Sequence, residues 1–204
     1  MTEKFLEKVY DARDAASTRD LYDAWSASYE AEVAENGYVT PGRCAAALAE
    51  HMTDMSAPIL DFGCGTGLSG LALKTAGFET IDGVDLSEEM LAKARDKKLY
   101  RTLQRIEADV PLSHSPGEYA AIAAIGVIGA GAAPISALHM LMNSLDSGGL
   151  LVLSFNDHAL EDPANEAGLN EWLDCGAARL LFKEHGPHLT KIDLKSCVYV
   201  IEKM

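Results

Sequence analysis

Basic side chains are few. Lys and Arg total 17 against 31 Asp and Glu, a formal net charge of −14 over 204 residues. Polyanion-binding proteins carry basic surfaces, so neither nucleic acid nor an anionic membrane is expected as a partner. A cationic ligand suits this field better. Cysteine is also scarce. Cys44, Cys64, Cys175 and Cys197 form no C-x-x-C pair, and no nearby His completes a zinc-like spacing. Reduced thiols in a cytoplasmic protein without a metal are therefore expected. Residues 1–20 are charged throughout and lack the apolar stretch of a secretory signal. No Gly-Lys-Ser or Gly-Lys-Thr follows a glycine turn, which excludes a P-loop.

One stretch lacks charge altogether. Residues 119–145 contain no Lys, Arg, Asp or Glu, long enough to span a bilayer. It is rich in Ala and Gly, is interrupted by Gly126, Gly129, Gly131 and Pro134, and has no basic flank. A buried strand, a turn and a helix are expected there instead.

What is present is ordinary globular composition, 48% apolar and 24% charged. The length predicts one domain over residues 1–204. Residues 1–55 read as a helical cap. Leu21, Trp25, Tyr29 and Val33 fall four apart, with Tyr22 beside them, and form an apolar stripe on one helix. Ser17 or Thr18 can cap its start and Asn36-Gly37 can end it. Thr40-Pro41 opens another helix, with proline where its missing N–H costs nothing.

From residue 58 the pattern changes. Apolar runs at 59–62, 81–86, 106–110, 119–127 and 150–155 alternate with helical patterns at 68–76, 88–97 and 135–145. Ser87 sits at an N-cap position, with Glu88 and Glu89 in the favourable first turn. This alternation predicts an α/β fold, doubly wound around a mostly parallel sheet. A helix is expected near 170–175, and two late strands at 178–183 and 196–202, separated by a turn at Gly186-Pro187.

The chemistry concentrates in Ile59-Leu60-Asp61-Phe62-Gly63-Cys64-Gly65-Thr66-Gly67, a strand running through a glycine turn into a helix. Glycines let a ligand approach the main chain, and the helix start offers free N–H groups. The spacing is G-x-G-x-G rather than the dinucleotide G-x-G-x-x-G, and the acid before it favours positive charge over a pyrophosphate. Asp85 ends the next apolar run and Asp109 the one after. The intervals from Asp61 to Asp85 and from Asp85 to Asp109 are both 24 residues, one β-α unit each. Three such acids would emerge at the carboxyl edge of a parallel sheet, spanning roughly 10 Å, the extent of a nucleoside with its side chain.

With these residues the sequence resembles the class I, Rossmann-like, S-adenosylmethionine-dependent methyltransferases. The resemblance covers residues 58–156, and Asp-x-Gly-Cys-Gly-Thr-Gly matches that family's first motif. It implies a seven-stranded sheet whose last strand runs antiparallel, and S-adenosylmethionine as cofactor. By position, Gly63, Cys64 and Gly65 should lie against the methionine part, and Asp61 near its ammonium. Asp85 should bind the ribose, Leu86 and Val110 should flank the adenine, and Asp109 should accept from its amine. Gly126 should lie near the transferred methyl group. Leu21-Tyr22-Asp23-Ala24-Trp25, Tyr29, Gly37-Tyr38 and Ile125-Gly126-Val127-Ile128-Gly129 resemble a small subgroup. That subgroup includes a methyltransferase-like protein of the Williams–Beuren region. There the N-terminal helix closes over the cofactor, which would bring Tyr22 and Tyr29 to the methionine carboxylate.

The implied reaction is in-line methyl transfer to O, N, S or C. Positioning can supply on the order of 7–11 kcal/mol of barrier lowering, and a base is needed only for a protonated nucleophile. His158 and Asp157, after the fifth strand, are the weak candidates for a catalytic base. His185 and His188 flank Gly186-Pro187 and read as turn residues, and His139 as a packed or surface residue. No Asn-Pro-Pro-Tyr or Asp-Pro-Pro-Tyr follows the fourth strand. With the acidic charge, this points to a small-molecule acceptor; a monomer or homodimer is expected. A protein acceptor, a non-catalytic cofactor-binding module and a nucleotide-binding oxidoreductase remain as alternatives. The segment 157–176 is short, so a substrate pocket must borrow walls from the N-terminal helices.

Overall fold

The computed structural model describes residues 15–108, 110–129 and 132–204. The described residues open with three helices: α1 (Ala15–Trp25), α2 (Tyr29–Glu35) and α3 (Thr40–Ala49). The sheet follows as β1 (Ile59–Phe62), α4 (Leu68–Thr75), β2 (Ile81–Asp85), α5 (Glu88–Lys97) and β3 (Thr102–Arg105). Then come β4 (Ala121–Ala124), α6 (Ser136–Ser144) and β5 (Leu150–Asn156). The chain closes with α7 (Asp157–Glu161), α8 (Pro163–Asp174), β6 (Ala178–Leu189), a 3₁₀ turn (Thr190–Ile192) and β7 (Leu194–Lys203).

The seven strands lie in the order β3-β2-β1-β4-β5-β7-β6. All neighbours are parallel except those of β7, which runs against both β5 and β6. Alternation along each strand divides the core in two. Leu60, Ile122 and Leu151 face α6, packing with Leu138 and Leu141. Ile59, Ala121 and Val152 face the other way, onto Cys44 and Leu48 of α3 and Leu73 of α4. Both faces are thus covered, which is why these strands read as unbroken apolar runs. Residues 119–145 form β4, a turn and α6, and no helix among the described residues is long and apolar enough to cross a membrane.

Four expectations need correction. The third strand is Thr102–Arg105, not 106–110. Its register on Asp82–Asp85 is anchored by Asp82, whose Oδ1 accepts the Thr102 N–H at 2.9 Å and whose carboxylate also pairs with Arg101. The apolar stripe from Leu21 to Val33 is carried by two helices. Ser26 Oγ turns back onto the Asp23 carbonyl at 2.8 Å, and Ser28 Oγ bonds Glu32 at 2.6 Å, so the helix stops and restarts. Gly186-Pro187 lies within β6 rather than at a turn. β6 is an edge strand, where proline's missing N–H interrupts no ladder. The connection to β7 is instead the 3₁₀ turn, closed by Asp193 in a left-handed conformation. The late helix is also longer than 170–175, and α7 precedes it.

Candidate functional site

The carboxyl ends of β1, β2 and β4 open into a cavity of about 940 Å³. Gly63, Cys64 and Gly65 form one wall, Leu86 another, and Tyr22, Tyr29 and Tyr38 roof it from the N-terminal segment. Gly63, Gly65 and Gly67 have φ of +68°, +52° and +93°, so the turn uses the left-handed region three times. A side chain at Gly63 would meet Val127 at 2.6 Å, whereas at Gly65 it would enter open space. Gly63 is therefore small for packing as well as for the turn.

Asp85, the last residue of β2, lines this cavity. Its Oδ2 accepts the Gly65 N–H at 2.8 Å and its Oδ1 the Ser87 N–H at 2.9 Å. Two backbone donors thus hold the carboxylate still, and each oxygen retains lone pairs for a ligand. Burial raises its pKa against these bonds. Ser87 caps α5, accepting the Met90 N–H at 3.0 Å, and its hydroxyl also bonds Asp23 of α1. Lys97 bridges Glu30 of α2 and the Thr66 carbonyl. The first contact ties the helical roof to the start of α5, and the second ties it to the glycine turn.

Asp61 lies in β1, fully buried, and does not line the cavity. Its Oδ2 accepts from Ser69 Oγ at 2.6 Å and Tyr100 Oη at 2.7 Å, while its Oδ1 has no partner among the described residues. Burial pushes the carboxyl up to about 6. Asp109 lies outside the described residues. The third strand, β3, ends at Arg105, so the repeated 24-residue interval does not mark three equivalent strand ends. Its neighbours Ala108 and Val110 do line the cavity.

The roof is a small aromatic cluster. Trp25 is buried, stacked on Tyr22 with ring centres 5.8 Å apart and edge-on to Tyr29 at 4.8 Å. Burial, then Asp85 and Glu30, hold the Tyr29 hydroxyl well above the usual phenol range. On the floor, Gly126 has φ +68° and donates its N–H to Ser154 Oγ of β5 at 2.9 Å. A side chain at Gly126 would meet the Tyr38 hydroxyl at 2.9 Å.

A second, smaller cavity of about 70 Å³ lies beyond Gly126, lined by Tyr38, Ser154, Asn156 and His188. His188 is not a turn residue. It sits on β6, buried, edge-on to Tyr38 with ring centres 5.1 Å apart. Burial lowers its pKa to about 4. Nothing local in the sequence signalled this, because Tyr38 and His188 meet only through the bridge between Tyr38 and Leu189.

The candidate bases fare less well. Asp157 Oδ1 bonds His185 Nε2 at 2.9 Å and its Oδ2 accepts the Lys195 N–H at 3.0 Å. These bonds, against a desolvation cost, keep it below the usual carboxylate range. His158 stands 3.8 Å from Glu161 on α7. Neither Asp157 nor His158 lines either cavity. His139 accepts from Trp172 Nε1 at 2.9 Å. All four cysteines are free thiols, Cys64 buried in the glycine turn. No cluster of metal-ligating side chains occurs among the described residues.

A family model for a methyltransferase domain matches residues 38–198. The chain belongs to the methyltransferase-domain family. Human methyltransferase-like protein 27 is 33% identical over 144 residues, 69% of this chain and 58% of the human protein. The chain therefore spans a little over half the length of that relative. Magnesium protoporphyrin IX methyltransferase from Synechocystis PCC 6803, solved with S-adenosylmethionine bound, has a TM-score of 0.58 at 16% identity. The match covers 98% of this chain and 90% of that one. A methyltransferase from Thiobacillus denitrificans, in complex with S-adenosylhomocysteine, gives 0.54 at 13% identity, over 79% and 91% of the two chains. The [4+2]-cyclase SpnF gives 0.60 at 18% identity, over 79% and 81%. These structures share the fold of this methyltransferase-family chain. SpnF shows that the fold also hosts other chemistry.

Proposed function

We propose that the protein binds S-adenosylmethionine in the larger cavity and directs its methyl group to a small-molecule acceptor. The observation that carries this reading is Asp85, held by the Gly65 and Ser87 N–H groups beside the glycine turn. An acceptor-only carboxylate so placed matches a ribose diol, which offers two donors. The unpartnered buried Oδ1 of Asp61 fits an ammonium, and the open space at Gly65 admits a ligand close to the main chain.

On this reading Gly63, Cys64 and Gly65 lie along the methionine part, with Asp61 behind them toward its ammonium. Leu86 and Val110 flank the adenine, and Asp109 accepts from its amine. Tyr22 and Tyr29 reach the methionine carboxylate. Gly126 lies beneath the methyl group. The bound cofactor would supply a methyl on a sulfonium, a leaving group that needs no further activation. The chain's own task is alignment and exclusion of water by the tyrosine roof. We read residues 1–204 as one domain with a helical cap, a cofactor core and a substrate-side segment. We place it in the subgroup of the Williams–Beuren region protein, on the Leu-Tyr-Asp-Ala-Trp and Ile-Gly-Val-Ile-Gly segments.

The small-molecule reading rests on the roofed cavity and the net charge of −14. Protein methylation and non-catalytic binding are the alternatives. Thermal unfolding separates these cofactor-binding readings from an oxidoreductase. At a hundredfold excess over Kd, a ligand adds about 2.7 kcal/mol, a Tm rise of roughly 5–10 °C for this size. S-adenosylhomocysteine should give such a rise and NAD none. The reverse result rejects the proposal.

A further inference from the structure

The smaller cavity beyond Gly126 carries a polar arrangement that the cofactor reading leaves unused. His188 Nδ1 lies 2.8 Å from Thr40 Oγ1, which lies 2.9 Å from Ser196 Oγ. Arg43 Nη1 closes the line, 3.0 Å from Ser196 Oγ, and also donates to the Pro187 and Ser196 carbonyls at 2.9 and 3.0 Å. Thr40, His188 and Ser196 are all buried. The direction of every proton in this line is fixed at one end. A guanidinium only donates, so Ser196 Oγ accepts from Arg43. The Ser196 hydroxyl hydrogen then has one acceptor among the described residues, Thr40 Oγ1. Thr40 in turn gives its own hydrogen to His188 Nδ1. A nitrogen that accepts carries no proton, so neutral His188 holds its hydrogen on Nε2. Nε2 bonds to none of the described residues.

Asn156 lines the same cavity and is fixed by a separate argument. As the N-cap of α7 it must turn Oδ1 to the Ala159 N–H, at 2.9 Å. Its amide nitrogen is the end left over, again with no partner among the described residues. The cavity therefore offers two donors, Nε2–H and Nδ2–H, together with the Tyr38 hydroxyl. Among the described residues no carboxylate side chain lines it, nor any Lys or Arg. Its 70 Å³ is several times the room that one water needs.

We propose that this cavity binds the carboxylate of a small acceptor acid, with His188 Nε2–H and Asn156 Nδ2–H as its donors. The proposal deepens the methyl-transfer reading and rests on it for the role of the bound acid. Neutral donors suit a singly charged carboxylate. A phosphate dianion calls for Arg or Lys at the contact, and here Arg43 stands three groups away along the line. The arrangement also removes the need for a base. An ionised carboxylate has no proton to be taken: a lone pair on its oxygen would form the O–CH3 bond as the methyl–sulfur bond of the sulfonium breaks, the bonding pair leaving with the sulfur as S-adenosylhomocysteine, and His188, already protonated on Nε2, has nothing to accept there. Asp157, His158 and Arg43 also act electrostatically on His188, the first opposing and the others adding to the burial that keeps it neutral.

Long-range ¹H–¹⁵N NMR of the full chain reads the tautomer of each of the six histidines directly. His188, assigned by loss of its signals in His188→Gln, should be the Nε2–H form. An Nδ1–H form or an imidazolium overturns the proposal. On the same sample, with S-adenosylhomocysteine present, acetate, benzoate and 3-phenylpropionate are titrated against benzylamine. At least one acid should shift the His188 Nε2 and Asn156 Nδ2 signals saturably, and benzylamine should not. No shift with any acid, or an equal shift with the amine, overturns it.

Asn156→Asp keeps a good helix cap while turning the donor into an acceptor. It should leave Tm nearly unchanged and weaken acid binding at least tenfold. His188→Gln should keep binding within about threefold and His188→Phe should lose it, since only the glutamine amide donates from the same place. Unchanged acid affinity in Asn156→Asp contradicts the assignment. Heat of S-adenosylhomocysteine binding is measured in parallel. Its absence defeats the methyl-transfer reading, while the tautomer and the acid titration still decide the cavity.

Discussion

Asp61 and Asp85 are both strand carboxylates, yet the fold treats them differently. Asp85 receives two backbone N–H groups and faces the cavity. Asp61 is buried behind the turn with one oxygen lacking a partner among the described residues. Its raised pKa means that the fold favours the neutral acid. The stability this contributes is fully present below the ordinary value of 3.8 and is lost as pH rises through about 6. A shift of two units corresponds to about 3 kcal/mol. Asp61→Asn should therefore flatten the fall in Tm between about pH 4 and pH 6. Parallel wild-type and variant profiles would show that Asp61 is not the titrating group. A ligand ammonium near Oδ1 favours the ionised form. S-adenosylhomocysteine affinity should thus rise over the same range in the wild type and rise less in the variant, as read by calorimetry.

At the scale of elements, the roof packs as a unit of its own. Trp25 and Val33 form their own small cluster, apart from the two sheet cores. Trp25→Ala should cost on the order of 3–5 kcal/mol locally. Hydrogen exchange should then speed up in α1 and α2 and hardly change in β1, β4 and β5. In the wild type, cofactor binding should slow exchange in α1 and α2. Loss of protection throughout the sheet in Trp25→Ala would mean that the roof is integral to the core. The floor depends on Ser154, which takes the Gly126 N–H. Ser154→Ala leaves that donor without its partner and should lower stability by about 1–3 kcal/mol in chemical denaturation. An unchanged midpoint would show that another group satisfies Gly126.

The sequence made α5 legible because Ser87, Glu88 and Glu89 state its start locally, and the helix runs over Glu88–Lys97 as its pattern implies. The end of α2 was legible too. Tyr38 N–H reaches the Val33 carbonyl at 3.1 Å around Gly37, whose φ is +73°. The edge strands were not. β3 is mostly exposed, so its position comes from pairing with β2 and from Asp82, not from apolar pattern. β6 passes through Gly186-Pro187, a turn signal that an edge strand tolerates. The glycine turn and Asp85 could be read from spacing. His188 could not, because its partner Thr40, and Ser196 beyond it, come from α3 and β7, and only the folded sheet brings them together.

Taken whole, the molecule sets a heavily acidic chain around one large cavity at the carboxyl edge of its parallel strands. That placement follows from topology, since the helices after the neighbouring strands β1 and β4 turn to opposite faces of the sheet and leave this edge open between them. The roof helices close it from outside, and the small donor-lined cavity continues it past Gly126. Asp85 is the hinge of this account, so calorimetric titration of the full chain with S-adenosylmethionine, alongside Asp85→Ala, tests it most directly. A hydrogen bond to a charged group contributes about 1.5–3 kcal/mol, or roughly tenfold to a hundredfold in affinity. Wild-type protein should bind at one site per chain and Asp85→Ala at least tenfold more weakly. No heat with the wild type, or equal affinity in a folded Asp85→Ala, would contradict it.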